Sequence, residues 1–218
     1  MILEELQMIV AAAWPDTPLP PGLSNEQIAA AAARLNVVLP EPLRDYFTVA
    51  GGSRALMDVN FRILPPEKLR IDADHLIFCE EVQGLEDYGV ALEKLARPAE
   101  YPNPPVLSRP KGEQRWGLEA ARISAFLLGM AAWQAALALE EKARCELPRK
   151  QLKPLFAFFE PVGDTNLRVG GSCWGLVDRK NSIVAAYILG VEMLYVGSSN
   201  AAALGAFKEK SGLVFESL

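Results

Sequence analysis

In Gly170-Gly171-Ser172-Cys173-Trp174 a hydroxyl and a thiol follow two glycines, which is how a G-x-S-x-G nucleophile elbow begins. Such a turn lifts its nucleophile off a strand end for acyl transfer, and its last glycine lets the backbone double back. Trp174 occupies that last position here. The chemistry also needs a histidine after the serine to act as base. The chain has one histidine, His75, which precedes Ser172 and lies in an apolar run. Ser172 and Cys173 are therefore read as part of a packed strand, and no catalytic residue is assigned.

Carboxylates offer a second kind of chemistry. Glu80, Glu81, Glu86 and Asp87 flank a single turn and can bring several oxygens together. Three readings fit them: a solvated hairpin, a face that meets a basic protein by charge complementarity, or an oxygen-ligand metal site. The solvated hairpin is the most ordinary, because charged turns are usually exposed. As functional residues, the four are candidates for partner binding. Trp116 and Trp133 have the residue type of interface anchors, but their apolar neighbours make them core residues in the first instance.

Other chemistries lack their residues. There is no G-x-x-x-x-G-K-S/T, no G-x-G-x-x-G and no His or Cys grouping with metal-ligand spacing, so no cofactor and no metal site is expected. Cys79, Cys145 and Cys173 are odd in number and far apart, which fits a reducing compartment better than a disulfide framework. With 22 basic against 27 acidic residues the net charge is −5, and no Lys/Arg cluster is present to neutralise phosphates, so nucleic acid is not an expected partner. The first residues, MILEELQMIV, carry acids where a secretory signal needs bases. The most apolar run, Ser124 to Leu139, contains Gln134 and falls short of the roughly 20 residues of a membrane helix. A cytoplasmic protein with no membrane association is expected.

These residues must be positioned by a core that 218 residues, half of them hydrophobic, can supply without staples. Glu4 to Trp14 reads as a helix ended by the Pro15–Pro21 loop. Ser24 with Gln27 forms a capping box for a second helix, carried by Ile28, Ala32 and Leu35 and ending near Asn36. Pro40 opens a third helix bearing Leu43, Tyr46, Phe47 and Ala50, stopped at Gly51-Gly52. Phe61–Leu64, His75–Cys79 and Tyr88–Leu92 alternate as an antiparallel meander, which Pro104–Ser108 and Arg115–Leu118 extend. A long helix follows from about Glu119 to Ala143. Then come strands at Leu155–Phe159, Cys173–Val177, Ile183–Leu189 and Met193–Val196, and a helix over Ser199–Lys210. No linker separates this last part, so the whole of 1–218 is read as one domain whose residues 150–218 continue or cover the first sheet.

The run Ala33-Arg34-Leu35-Asn36-Val37-Val38-Leu39-Pro40-Glu41-Pro42-Leu43-Arg44-Asp45-Tyr46-Phe47, closed by Gly51-Gly52, resembles the signature of the SUKH superfamily. That group contains yeast cell-wall synthesis regulators and many bacterial immunity proteins. His75 to Glu81 is similar to the family's strand that ends in Phe and acids, Tyr88 to Leu92 to the strand after it, and Ser124 to Leu127 to the start of its last helix. The likeness spans roughly Ser24 to Leu139. It implies an α+β fold: N-terminal helices, an antiparallel mixed sheet and a long helix, here with additional C-terminal strands and a helix. It also implies a non-enzymatic protein-binding domain that neutralises a toxin domain, a basic nuclease being one candidate, by direct binding. A regulatory or scaffold protein of the same fold without a toxin partner is the alternative.

Overall fold

A computed structural model describes residues 2–163 and 172–218, so Gly170 and Gly171 lie outside the described residues. The order is α1 (Leu3–Ala13), α2 (Asn25–Leu35), α3 (Glu41–Ala50), α4 (Arg54–Met57), β1 (Phe61–Ile63), β2 (Arg70–Asp72), β3 (His75–Glu81), β4 (Glu86–Ala91), α5 (Leu92–Leu95), β5 (Val106–Pro110), β6 (Gly117–Ala120), α6 (Ile123–Ala138), β7 (Glu141–Glu146), β8 (Glu160–Val162), β9 (Cys173–Asp178), β10 (Ile183–Ile188), β11 (Met193–Ser198), α7 (Ala201–Ser211) and β12 (Glu216–Ser217). The fold is α+β, with every strand pair antiparallel among the described residues.

Local signals place the N-terminal helices. Ser24 and Gln27 exchange side-chain and backbone hydrogen bonds at the start of α2, and Asn36 ends it in the left-handed conformation, which asparagine tolerates better than most residues. Pro40 lies just ahead of α3 as its N-cap rather than as its first residue.

The first sheet runs β3-β4-β5-β6, with β1 and β2 both paired to the free side of β3 at its opposite ends. The second runs β12-β7-β11-β10-β9-β8. Between them lies α6, which is apolar nearly all round and so has to be covered on every side. Small residues let it approach the second sheet closely: a Cβ on Gly129 would stand 2.4 Å from the Cys173 carbonyl oxygen, and one on Gly197 2.3 Å from that of Ala136. Gln134 is fully buried on this helix. Its Oε1 accepts from the backbone N–H of Val59, Asn60 and Phe61, and its Nε2 donates to the Leu56 carbonyl, tying the chain entering the first sheet to the central helix. A second core covers the far face of the second sheet, where Phe207 of α7 packs against Phe158 and Phe159.

Two expected elements differ. The long helix is only Ile123–Ala138, because Ala120 pairs with Val106 in the first sheet and Glu141–Glu146 pairs with β11 in the second; strand pairing overrides the helix propensity of Ala, Glu and Lys. The strand expected over Leu155–Phe159 is instead a 3₁₀ turn at Lys153–Ala157. Leu155 is its buried residue, and Leu152 and Phe159 on either side of the turn are buried with it, a spacing that suits a helical rather than an alternating face. No helix among the described residues is long and apolar enough to cross a membrane.

Candidate functional site

A bulge in β3 between Ile77 and Cys79 shifts the register so that Glu80 stands opposite Asp87 on β4. Two carboxylates opposite one another repel, and cations from four other places in the chain offset that repulsion. Asp87 receives Arg70 of β2 at 2.9 Å, Lys111 at 2.8 Å and its register partner Arg109 of β5 at 3.2 Å. Glu80 receives Arg70 at 2.7 Å, with Lys111 and Arg62 near 4 Å. Arg109 also donates to Asp72, and Arg62 to Asp58. The guanidinium of Arg109 holds the Asp72 carboxyl below the usual carboxylate range, while Asp72 raises the arginine in turn.

The network is layered by depth. The Asp87 side chain is 2% exposed and that of Glu80 18%, whereas Arg70, Arg62 and Lys111 are 38–43% exposed. Asp87 and Glu80 thus lie beneath Arg70, Arg62 and Lys111, whereas Arg109 is itself 14% exposed and the flanking Asp72 and Asp58 are 45% and 38% exposed. Beside them the Arg109 guanidinium lies 4.6 Å from the centre of the half-buried Trp116 ring, which also stacks on His75 at 4.2 Å and 18°. His75 Nδ1 is 2.7 Å from Asp74 Oδ1. Leu118, opposite Leu107 on the edge strand, is 69% exposed.

Of the four carboxylates read from the sequence, the structure brings together Glu80 and Asp87. Glu86 instead accepts from the Tyr88 hydroxyl at 2.8 Å, and Glu81 accepts from the Leu85 backbone N–H within the turn. The expected acidic face is thus divided, and its two central members are covered by cations. Arg62, Arg70, Arg109 and Lys111 were not singled out in the sequence, where they carry no shared local signal. Trp133 and Trp116 are both half-buried against the main core, Trp133 meeting Phe61 and Tyr195 and Trp116 also meeting His75 and Arg109 on the outer face. Among the described residues no three acidic, histidine or cysteine side chains are grouped as metal ligands.

Ser172 and Cys173 have structural partners. The Ser172 hydroxyl donates to the largely buried Glu119 carboxylate of β6, which ties the two sheets together. The Cys173 thiol reaches the Gly129 carbonyl at 3.3 Å, and burial pushes it well above the usual thiol range, which keeps it protonated. An apolar groove of about 610 Å³ lies across β2 from the ionic network, lined by Ala33, Val37, Val38, Ile71, Leu92 and Pro98. Ala33 near the end of α2, and Val37 and Val38 between α2 and α3, therefore form part of its wall.

No family model, no curated protein and no solved structure matches this chain.

Proposed function

We propose that the chain is a protein-binding domain that docks a partner on the outer face of its first sheet, the partner being a toxin domain that it neutralises, as the resemblance to SUKH immunity proteins implies. The observation that carries the reading is the composition and rigidity of that face. Arg62, Arg70 and Arg109 are held in place by buried or half-buried carboxylates next to Trp116 and the exposed Leu118. Arginine and tryptophan are enriched among residues that dominate interface energetics, and side chains already ordered before contact lose less entropy on binding. Binding would block the toxin by occlusion, with no residue of this chain reacting.

The test is capture of partners by the tagged protein from its native host, followed by co-expression with any toxin domain recovered. Rescue of growth, lost on Trp116→Ala or Leu118→Glu, supports the reading. Stable capture of housekeeping proteins alone, without rescue, would favour a regulatory scaffold instead.

A further inference from the structure

We infer that Glu119 and Ser172 form a proton-dependent clasp between the two sheets: protonated, Glu119 fastens β6, the edge of the first sheet, to the start of β9 in the second, and ionised it lets that edge go. The register places it. Leu118 pairs with Leu107 and Ala120 with Val106, so Glu119 is the extra residue of a bulge, and a bulge re-aims a side chain at the edge of a sheet. Its carboxyl group reaches the second sheet, where it accepts from the Ser172 hydroxyl. Ser172 is itself anchored, because its carbonyl accepts from the Leu189 backbone N–H at 2.8 Å. One titratable group on an edge strand therefore meets a fixed point on the other sheet. Leu118 on β6 and Trp116 just before it belong to the outer face, so the clasp also sets how firmly the rim of that face is held.

The surroundings supply no counter-charge. Glu86 and Tyr88 face Glu119 from β4, Cys79 from β3 and Cys173 from β9, and none of these side chains can carry a positive charge. The helix α6, which packs on β6, has no ionisable residue, and Arg109 of β5 is engaged with Asp72 and Asp87. Among the described residues no base is paired with Glu119. A buried charge is costly unless it is paired, and one hydroxyl is a thin substitute for a cation. The protonated form avoids that cost and keeps the contact, since a carboxylic acid still accepts hydrogen bonds. Ionisation sets Glu119 against Glu86, which already takes the Tyr88 hydroxyl. Water beyond the edge strand then becomes the better partner, and Ser172 is given up. Burial raises the Glu119 carboxyl above its ordinary range, against the Ser172 hydrogen bond and with help from Glu86. The clasp is therefore closed below the raised pKa and opens as pH climbs through it. The release is local, and both sheets stay on α6.

The experiment follows the ¹³C,¹⁵N-labelled full chain through a pH titration, reading the Glu119 side-chain carboxyl carbon and the amides of β6 and Cys173. One shared midpoint above the ordinary carboxylate range is expected, and hydrogen-exchange protection in β6, corrected for base catalysis, should be several-fold lower on its alkaline side. Glu119→Gln should hold the β6 amides in their acid form at every pH. Glu86→Gln should move the shared midpoint down, and Ser172→Ala should move the carboxyl midpoint up while the Cys173 amide ceases to follow it. A β6 midpoint that differs from that of the carboxyl, a Cys173 amide that ignores it in the native chain, or a step that persists in Glu119→Gln would each overturn the proposal. Should Glu119→Gln fail to fold, an unmoved midpoint in Glu86→Gln or a Cys173 amide that still follows in Ser172→Ala overturns it equally. None of these readings needs a partner, so the clasp and the docking face stand or fall separately.

Discussion

Changing Asp87 to Asn leaves Arg70, Arg109 and Lys111 converging on a neutral amide. Removing one member of a buried pair typically costs about 3–5 kcal/mol, and the solvent exposure of Arg70 and Lys111 lowers the expectation to about 2 kcal/mol, since exposed charges are screened. Urea unfolding at neutral pH measures this, and Glu86→Gln on the neighbouring hairpin position, which disturbs the Tyr88 contact but also relieves Glu119 of a nearby like charge, is expected to cost less than half as much. Glu119 behaves in the opposite sense. Burial raises its carboxyl above the ordinary range, the nearby Glu86 adds to the rise, and the Ser172 hydrogen bond only partly counters it. A carboxyl that holds its proton more tightly when folded contributes fully below its unfolded pKa. Its contribution is lost as pH climbs from there to the folded pKa, because the unfolded state binds fewer protons over that interval. Glu119→Gln is therefore expected to unfold at higher urea than the native chain at pH 7.5, with the difference shrinking toward pH 4. A difference independent of pH would show that packing, not ionisation, is responsible.

At the scale of elements, the contact between α6 and the second sheet depends on atoms that are missing. Gly197→Ala places a methyl against the Ala136 backbone, where neither side is a flexible side chain, and overpacking of this kind costs about 1–3 kcal/mol. Thermal unfolding should show a clear drop in midpoint. Gly205→Ala on α7, where a Cβ meets open space, should leave the midpoint unchanged or raise it slightly by helix propensity. The same elements show what the sequence makes legible. The ends of α2 are visible in Ser24, Gln27 and Asn36 because capping is local chemistry. The ends of α6 are not, because Ala120 and Glu141 leave the helical state only through partners distant in the chain. The candidate site divides the same way. The hairpin that carries Glu80 and Asp87 can be read from its neighbours, but the register that brings Arg62, Arg70 and Arg109 over it, and the bulge that aligns the two acids, arise only when the sheet forms.

For the molecule as a whole, α6 is the shared wall of everything else. It packs on β9, β10 and β11 on one side and on α1, α3 and α4 on the other, and its polar Gln134 holds the chain that leads into the first sheet. Neither sheet can open widely without exposing an apolar helix that has no solvent-facing stripe of its own. Loss of either side would leave that surface in water at about 25 cal/mol per Å², so partial unfolding should be scarcely populated. Native-state hydrogen exchange provides the measurement. Amides of Leu76 and Ile77 in β3 and of Val184 and Ala185 in β10 are expected to exchange with the same opening free energy, equal to that of global unfolding, and Gly197→Ala should lower both by the same amount although the substitution lies in the second sheet. Protection that falls in β10 while β3 is unchanged would mean that the sheets open independently. The docking face would then keep its geometry without the C-terminal strands. Coupled exchange would instead make those strands necessary for a face that they do not touch, because α6 transmits their packing to the sheet that carries it.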